Sequence, residues 1–292
     1  MTGERTIAAE DAPAAKTYAL PSEPVVANDA QVSLGVRDLR DLWRFRELLY
    51  FLTWRDIKVR YKQTVMGASW AIIQPLVMML VFAVFFGLLR IPTDHTPHLL
   101  FFYCGLLPWT FFANAVTQSS VSLVTNSNLI TKVYFPRVLI PAATIGACLV
   151  DLAVASVILF GLMLYYGFAP GVNLLMLPAL VLLTLLLALG LGTWLAALMV
   201  KYRDVRHVLP FVFQVWFFLT PIIYPASVVP ERWRWVLHLN PMAGVVEGVR
   251  ASVTGRPFDW GALAFSAAAT AAVLACSVYA FNRLERSFAD VI

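Results

Sequence analysis

Charge is what this sequence has least of. Asp, Glu, Lys and Arg together make up 13% of its 292 residues, while 60% are hydrophobic and the mean hydropathy is +0.74. A soluble domain carries about a quarter charged residues, so a globular protein in water is excluded and a polytopic membrane protein is implied. Cysteine is scarce as well. Cys104, Cys148 and Cys276 fall in or at the ends of apolar runs without metal-ligand spacing, and read as small packing residues rather than a disulfide framework. The chain begins without the charged segment and short apolar core of a signal peptide, and residues 1–35, rich in Ala, Pro and Glu, read as a disordered cytoplasmic tail. No GxxxxGK[ST] phosphate loop occurs, which removes ATP hydrolysis by that route. Nor is there a Ser/His/Asp arrangement or a paired carboxylate in a catalytic setting, so an intramembrane enzyme is disfavoured. Asp94, His95 and His98 lie close together in DHTPH, but across a proline in a loop they read as plain loop residues, and no metal is assigned.

What the sequence does have is long apolar runs. They cover about Ala68 to Leu89, Leu99 to Val124, Leu139 to Tyr166, Leu174 to Val200, Val208 to Tyr224 and Gly261 to Phe281. Each is long enough to cross a hydrocarbon core of about 30 Å, the fifth only just. The expected fold is therefore all-α, with six transmembrane helices in residues 67–292 and an amphipathic interface segment in residues 36–66. Lys and Arg near the span ends set the orientation. Fifteen lie on the side holding the first interface segment and five on the other, which places both termini in the cytoplasm. The net charge of +5 is thereby explained by topology, and nucleic acid is not implied.

In the interface segment, Leu42, Phe45, Leu49 and Leu52 follow helical spacing on one face. In the WRDIKVRYKQT that follows, Arg55, Lys58, Arg60 and Lys62 can meet anionic groups at about 1 kcal/mol each, or serve as a solvated positive collar. Two further loops on the same side stand out. NLITKVYF, Asn128 to Phe135, forms a short helix capped by Asn126 or Asn128 and ended by Pro136, and an apolar helix facing the cytoplasm should have something to dock on. The other is the compact charged loop KYRDVRH, Lys201 to His207.

Within the spans Asp151 is the clear exception to the lack of charge. A carboxylate there costs about 2.5 to 3.5 kcal/mol on insertion scales, so it pairs with another span or faces a wet path. Gly192 and Ala196 are spaced for close helix contact. Many aromatics suit the belt at a membrane interface, but Phe213, Trp216 and Phe217 share a deeper face, with Tyr224 beyond. A neutral aromatic lining there would let a sugar chain slide without being trapped. The fifth run breaks at Pro221 and Pro225 into two pieces too short to span. One carries Trp233 and Trp235. The other begins with cap-like Asn240 and Pro241, carries Glu247 and Arg250 on its polar side and mobile Gly244 and Gly248, and closes at Gly255. Such pieces lie at the surface or dip into the membrane and return, as a plain cap or as a gate.

WRDIKVRYKQTVMGASWAIIQP, NLITKVYFPRVLIP, YRDVRHVLPF, LTPIIYP, VPERWRW and LNPMAGVVEGVR, in that order, resemble the membrane permeases of ABC exporters for O-antigen, capsule and teichoic-acid chains. The resemblance implies an inner-membrane homodimer of six-span subunits served by two copies of a separate ATPase that binds ATP and Mg. It implies lipid-linked polysaccharide as substrate, met first by Arg55, Lys58, Arg60 and Lys62. Its coupling positions are Asn128, Leu129, Ile130, Lys132, Val133, Tyr134, Phe135, Tyr202, Arg203, Asp204 and Arg206. Its channel is lined by the first and fifth spans, putting Gln74, Phe213, Trp216, Phe217 and Tyr224 on the path with Asp151. Its gate helices hold Trp233, Trp235, Asn240, Pro241, Glu247 and Arg250. A permease for a drug or lipid, and a glycan-modifying membrane enzyme, are the competing readings.

Overall fold

The computed structural model describes residues 44–62, 69–88, 93–94, 96–132, 135–202 and 204–285, and the regular elements among them are all helices. The expected tail, Val133, Tyr134, Arg203 and His95 lie outside the described residues. Among the described residues ten α-helices follow in chain order: α1 Arg46–Lys62, α2 Ser69–Leu88, α3 His98–Thr125, α4 Ser127–Lys132, α5 Leu139–Tyr165, α6 Leu177–Lys201, α7 Val205–Leu219, α8 Glu231–His238, α9 Pro241–Thr254 and α10 Trp260–Glu285. Five of the described helical stretches are long and apolar enough to cross a membrane: α2, α3, α5, α6 with the 3-10 turn before it, and α10.

The fifth apolar run departs from expectation. Its helix, α7, has 15 residues and stops at Leu219. At about 1.5 Å per residue it falls short of a 30 Å core. Pro221 is the cause. It disfavours helical backbone at the residue before it, and Thr220 is extended at φ −93°, ψ 137°. Thr220 closes the helix by donating its hydroxyl to the Trp216 carbonyl at 2.8 Å.

α3 is the centre of the bundle and is buried along most of its length, packing against α5, α6, α2 and α9. Phe101, Phe102, Tyr103 and Phe112 are fully buried on it. These side chains form the core rather than an interfacial belt, and Tyr103 donates to the Ala155 carbonyl of α5 at 2.7 Å. α6 then packs on α3 through Gly192, whose missing side chain leaves room for Ser119. A Cβ at Gly192 would lie 2.7 Å from Ser119 Oγ and 2.9 Å from its Cβ. Gly192→Val is therefore expected to cost about 1–3 kcal/mol or more and to lower the yield of monodisperse protein in detergent. Ser119→Ala, which removes a buried hydroxyl with no partner among the described residues, is expected to leave that yield unchanged or raise it.

α1 is one continuous helix rather than two segments. Its inward stripe begins apolar, with Leu49 and buried Leu52 after Phe45 just ahead of the helix, and continues through Asp56, which accepts from Thr144 of α5, to Arg60. Leu52 joins a second core with Leu123, Phe135, Leu139 and Phe281, against which Leu129 and Ile130 of α4 are half-buried. This end of the bundle thus carries α1, α4 and the start of α7, where Val205 to His207, expected in a loop, form its first turn. The opposite end carries α8, α9 and the loop at Asp94.

Candidate functional site

At the α1 end, the inward stripe delivers charge to the interior. Arg60 donates from one nitrogen to Asp151 and from another to Gln118, and the Tyr61 hydroxyl donates to the other Asp151 oxygen. Burial works against the Arg60 charge, and the Cys148 sulfur and Asp151 carboxylate outweigh it, holding the guanidinium above its ordinary pKa. Arg60 therefore does not project to the surface with Lys58 and Lys62, as its place in the basic segment suggested; those two lysines are exposed. Arg55 turns aside to pair with Asp56 at 2.8 Å and to donate to Asn126 Oδ1 at 2.9 Å, tying α1 to the α3–α4 junction.

Beside the Arg60–Asp151 pair lies a cavity of about 240 Å³ between α1, α2, α3 and α5. Gln74, Thr110, Asn114 and Gln118 line it with Trp70 and Phe111. Gln74 and Asp151, expected on the path, are brought together here with Arg60, expected at the entry. Asn114, Gln118 and Trp70 complete the group. For Asn114 and Gln118 the signal in the sequence was the polar run at residues 114–122 of the second span, but nothing local tied it to Gln74 or Trp70.

Phe213, Trp216 and Phe217 are elsewhere. They share one face of α7, as their spacing predicts, and that face is turned onto α3 and α2 rather than left open as a lining. The Phe213 and Trp216 rings stack at 5.9 Å, Phe112 meets Trp216 edge-on at 5.2 Å, and Phe217 stacks on Phe82 at 5.9 Å. Packing these rings on one another buries Phe213 and leaves Trp216 and Phe217 half-buried. The open face of α7 is the other one, with Phe211, Val215 and Phe218. Tyr224 is half-buried in the turn beyond and donates to the Phe218 carbonyl at 3.2 Å.

The broken segment after α7 is held by two hubs. Asn240 caps α9 as expected, accepting from the Met242 N–H at 3.0 Å, with Pro241 at the first helical position and Gly255 left-handed at φ 74°. The same carboxamide accepts from Trp216 Nε1 at 2.9 Å and donates to Thr220 Oγ1 at 2.8 Å, joining α9 to the end of α7. Arg250 is the second hub. It was placed on the polar side of a surface helix, but its side chain is 4% exposed, because α9 is buried on nearly every face. Its guanidinium donates to the carbonyls of Pro221 at 2.6 Å and Ile222 at 2.7 Å and to Glu247 at 2.8 Å, beneath the Phe101 ring at 3.7 Å. Burial presses its pKa below the ordinary value and Glu247 pushes it back up. Gly244 and Gly248 are close-packing positions, not hinges. A Cβ on Gly244 would lie 2.4 Å from Ser266 Oγ and 2.7 Å from the Ala262 carbonyl oxygen. Trp233 and Trp235 stand exposed on α8.

Of the coupling positions, Lys132, Tyr202, Asp204 and Arg206 are exposed, as is Asn128. Phe135 is buried at 7% exposure in the second core, so it can support such a surface but not form it. In the loop at the far end, Asp94 pairs with Arg256 at 3.6 Å and accepts from Ser227 at 2.9 Å.

Comparison with known proteins bears on this arrangement directly. The chain is 31% identical over 219 residues to the O-antigen export system permease protein RfbA of Myxococcus xanthus, covering 74% of this chain and 84% of that one. It is 26% identical over 248 residues to the RfbA of Klebsiella pneumoniae, covering 84% of this chain and 95% of its relative. Against the polysialic acid transport protein KpsM of Escherichia coli it is 24% identical over 203 residues, 68% and 78% of the two chains. The family described as ABC-2 type transporter matches residues 47–254, which span α1 through α9 and include both the Arg60–Asp151 pair and the Arg250 hub; the chain belongs to that family.

Proposed function

We infer that this chain is the membrane permease subunit of an ABC exporter that moves polysaccharide out of the cell. The observation that carries the reading is the similarity to O-antigen export permeases, which runs across 84% of this chain and 95% of the relative's length. The chain has no phosphate loop of its own, so a separate subunit supplies ATP hydrolysis, with its ATP and Mg. It is a transporter part and not an enzyme.

The finer reading is a homodimer in the bacterial inner membrane served by two ATPase copies, with both termini cytoplasmic. α7 with the turn at Thr220 to Tyr224 acts as a short sixth crossing, and α8 and α9 sit at the periplasmic face as the gate. The open faces of α2 and α7, carrying Val77, Val84, Phe85, Phe211, Val215 and Phe218, are the surfaces through which two subunits would enclose a channel. α4 and the Tyr202 to Arg206 segment take up motion from the ATPase. The exported chain is lipid-linked, and α1 is where its head group meets the protein.

Two measurements test this. Deleting the gene should remove surface polysaccharide and leave lipid-linked glycan inside; normal surface polysaccharide in the deletion strain overturns the reading. Lys132→Glu with Tyr202→Ala changes two exposed side chains, so folded permease should persist. Recovery of the ATPase with the tagged permease should fall about tenfold, the equivalent of about 1.4 kcal/mol of interface energy. Unchanged recovery would place the coupling surface elsewhere.

A further inference from the structure

Arg55 belongs to the basic segment expected at the substrate entry, yet its donors are taken inside the chain. Nε and Nη2 donate to Asp56 at 3.1 and 2.8 Å, and Nη2 also donates to Asn126 Oδ1 at 2.9 Å. Adjacent residues on a helix do not face each other, so the side chain has to fold inward across α1 to make these bonds. Asp56 is held in turn by Thr144 of α5, whose hydroxyl donates to its other oxygen at 3.2 Å. One turn earlier α1 is seated closely on α5, where a Cβ on Gly146 would lie 3.1 Å from Thr53 Oγ1. α5, Asp56 and Arg55 thus form a fixed base, and the bond to Asn126 leads off it.

Asn126 is the joint between α3 and α4. Its N–H and its carboxamide nitrogen both donate back to the Ser122 carbonyl of α3, at 3.0 and 2.9 Å. Its own carbonyl accepts from the Leu129 and Ile130 N–H groups at 3.0 and 3.3 Å, and so starts α4. The carboxamide oxygen is what remains, and Arg55 takes it. α4 has six residues, well short of the about 12–15 at which a helix becomes even marginal alone in water, so its position depends on what holds it. Leu129 and Ile130 rest half-buried on the second core, which includes Leu52 of α1, and Asn126 fixes the end at which the helix begins. Asn128 and Lys132 remain exposed.

We propose that Arg55 is a positioning residue for ATPase docking, acting through Asn126, and not a contact for the substrate head group. This rests on the reading of α4 as a surface that takes up ATPase motion, and adds to it the side chains that fix α4 to the α1–α5 base. A guanidinium already paired with Asp56 and folded inward offers an anionic head group less than the exposed ammonium groups of Lys58 and Lys62 do. Positioning also suits arginine, whose planar fork meets Asp56 and Asn126 at once from one fixed geometry. A lysine at this position keeps the charge and loses the fork.

Two measurements on the full-length chain in lipid nanodiscs test this. Hydrogen exchange reads the permease alone. Arg55→Ala should speed exchange of the 127–132 amides severalfold and leave the centre of α3 unchanged, and Val59→Ala on the exposed outer face of α1 should change neither. The second measurement is the affinity for the ATPase that co-purifies with the tagged chain. It should fall about fivefold in Arg55→Ala, the size one net hydrogen bond carries, and by less in Arg55→Lys. Asn126→Ala should weaken it too, although this side chain has no charge to offer a head group, and adding Arg55→Ala to it should lower the affinity no further. Asp56→Asn, which releases the Arg55 charge, separates the two roles and serves if Arg55→Ala is not recovered folded. Positioning predicts weaker ATPase binding in that variant; stronger export at unchanged ATPase affinity would return Arg55 to the entry and overturn the proposal. Unchanged exchange in α4, unchanged ATPase affinity in Arg55→Ala, or additive losses in the double variant overturn it as well. A null result for Arg55 with ATPase still bound to the unmodified chain removes this proposal alone, whereas an unmodified chain that retains no ATPase removes the export reading with it.

Discussion

Arg250→Ala is expected to leave little folded permease in the membrane. The substitution removes a buried cation and, with it, the donors for the Pro221 and Ile222 carbonyls and the partner of Glu247. It also empties the space beneath Phe101, whose ring lies 3.7 Å from the guanidinium carbon. Breaking a buried pair from one side costs about 3–5 kcal/mol, which is a large share of the 5–15 kcal/mol by which proteins are stable. The consequence is specific to this chain because Pro221 has ended α7 and left the carbonyls that follow it without helical donors. Arg250 supplies them from a helix that begins 20 residues later. Arg250→Lys keeps the charge but not the planar fork, so one carbonyl at least goes unmet and an intermediate loss is expected. Glu247→Gln keeps an acceptor at a half-exposed position and should cost under about 1 kcal/mol. Size-exclusion profiles of a fluorescent fusion and the detergent melting temperature measure all three. If Arg250→Ala is as monodisperse and as heat-stable as the unmodified chain, the guanidinium is not what holds the break closed.

Arg250 also marks where reading the sequence stops working. The apolar runs place most of the spans within a residue or two, as for Leu139 to Tyr165, because a long run of side chains that cannot be solvated leaves a helix as the remaining option. The ends of α9 were legible too, since Asn240, Pro241 and Gly255 act on their own neighbours. Sidedness was not. A helical wheel puts Glu247 and Arg250 on one polar stripe, but it does not show that this stripe meets two carbonyls 28 and 29 residues away. Arg60 was misread for the same reason. It sits among exposed lysines in the chain, and its partner Asp151 is 91 residues further on. The second span is the instructive case. Its aromatics resemble a membrane belt, yet it is the least apolar of the five crossings and the most buried. Lipid tolerates few Ser, Thr, Asn or Gln side chains, so the crossing that carries most of them belongs inside. That signal was present in residues 114–122 and was the better guide to α3 than its aromatic end.

Gly244→Ala, a change of one methyl group, should cost nearly as much as the loss of Arg250. The new Cβ would stand 2.4 Å from Ser266 Oγ and 2.7 Å from the Ala262 carbonyl oxygen, separations that no real contact allows. The hydroxyl alone could rotate away, though it already donates to the Ala262 carbonyl at 2.9 Å. The carbonyl belongs to the first turns of α10 and cannot move without that helix. Overpacking of this kind costs about 1–3 kcal/mol when side chains can yield, and more when backbone must. Any rotation of α9 that relieves the clash also swings Arg250, less than two turns along, off the Pro221 and Ile222 carbonyls, so the two penalties compound. Two comparisons isolate the cause. At Gly248 the added methyl would lie 2.9 Å from Leu180 Cδ2 and 3.2 Å from Leu263 Cδ2, both ends of flexible side chains, so Gly248→Ala should be the milder change. Ser266→Gly in the Gly244→Ala background removes the nearest atom but leaves the carbonyl, so rescue of the folded fraction should be partial. Complete rescue would assign the contact to the hydroxyl, and a Gly248→Ala loss larger than that of Gly244→Ala would overturn the order of packing between α9 and α10.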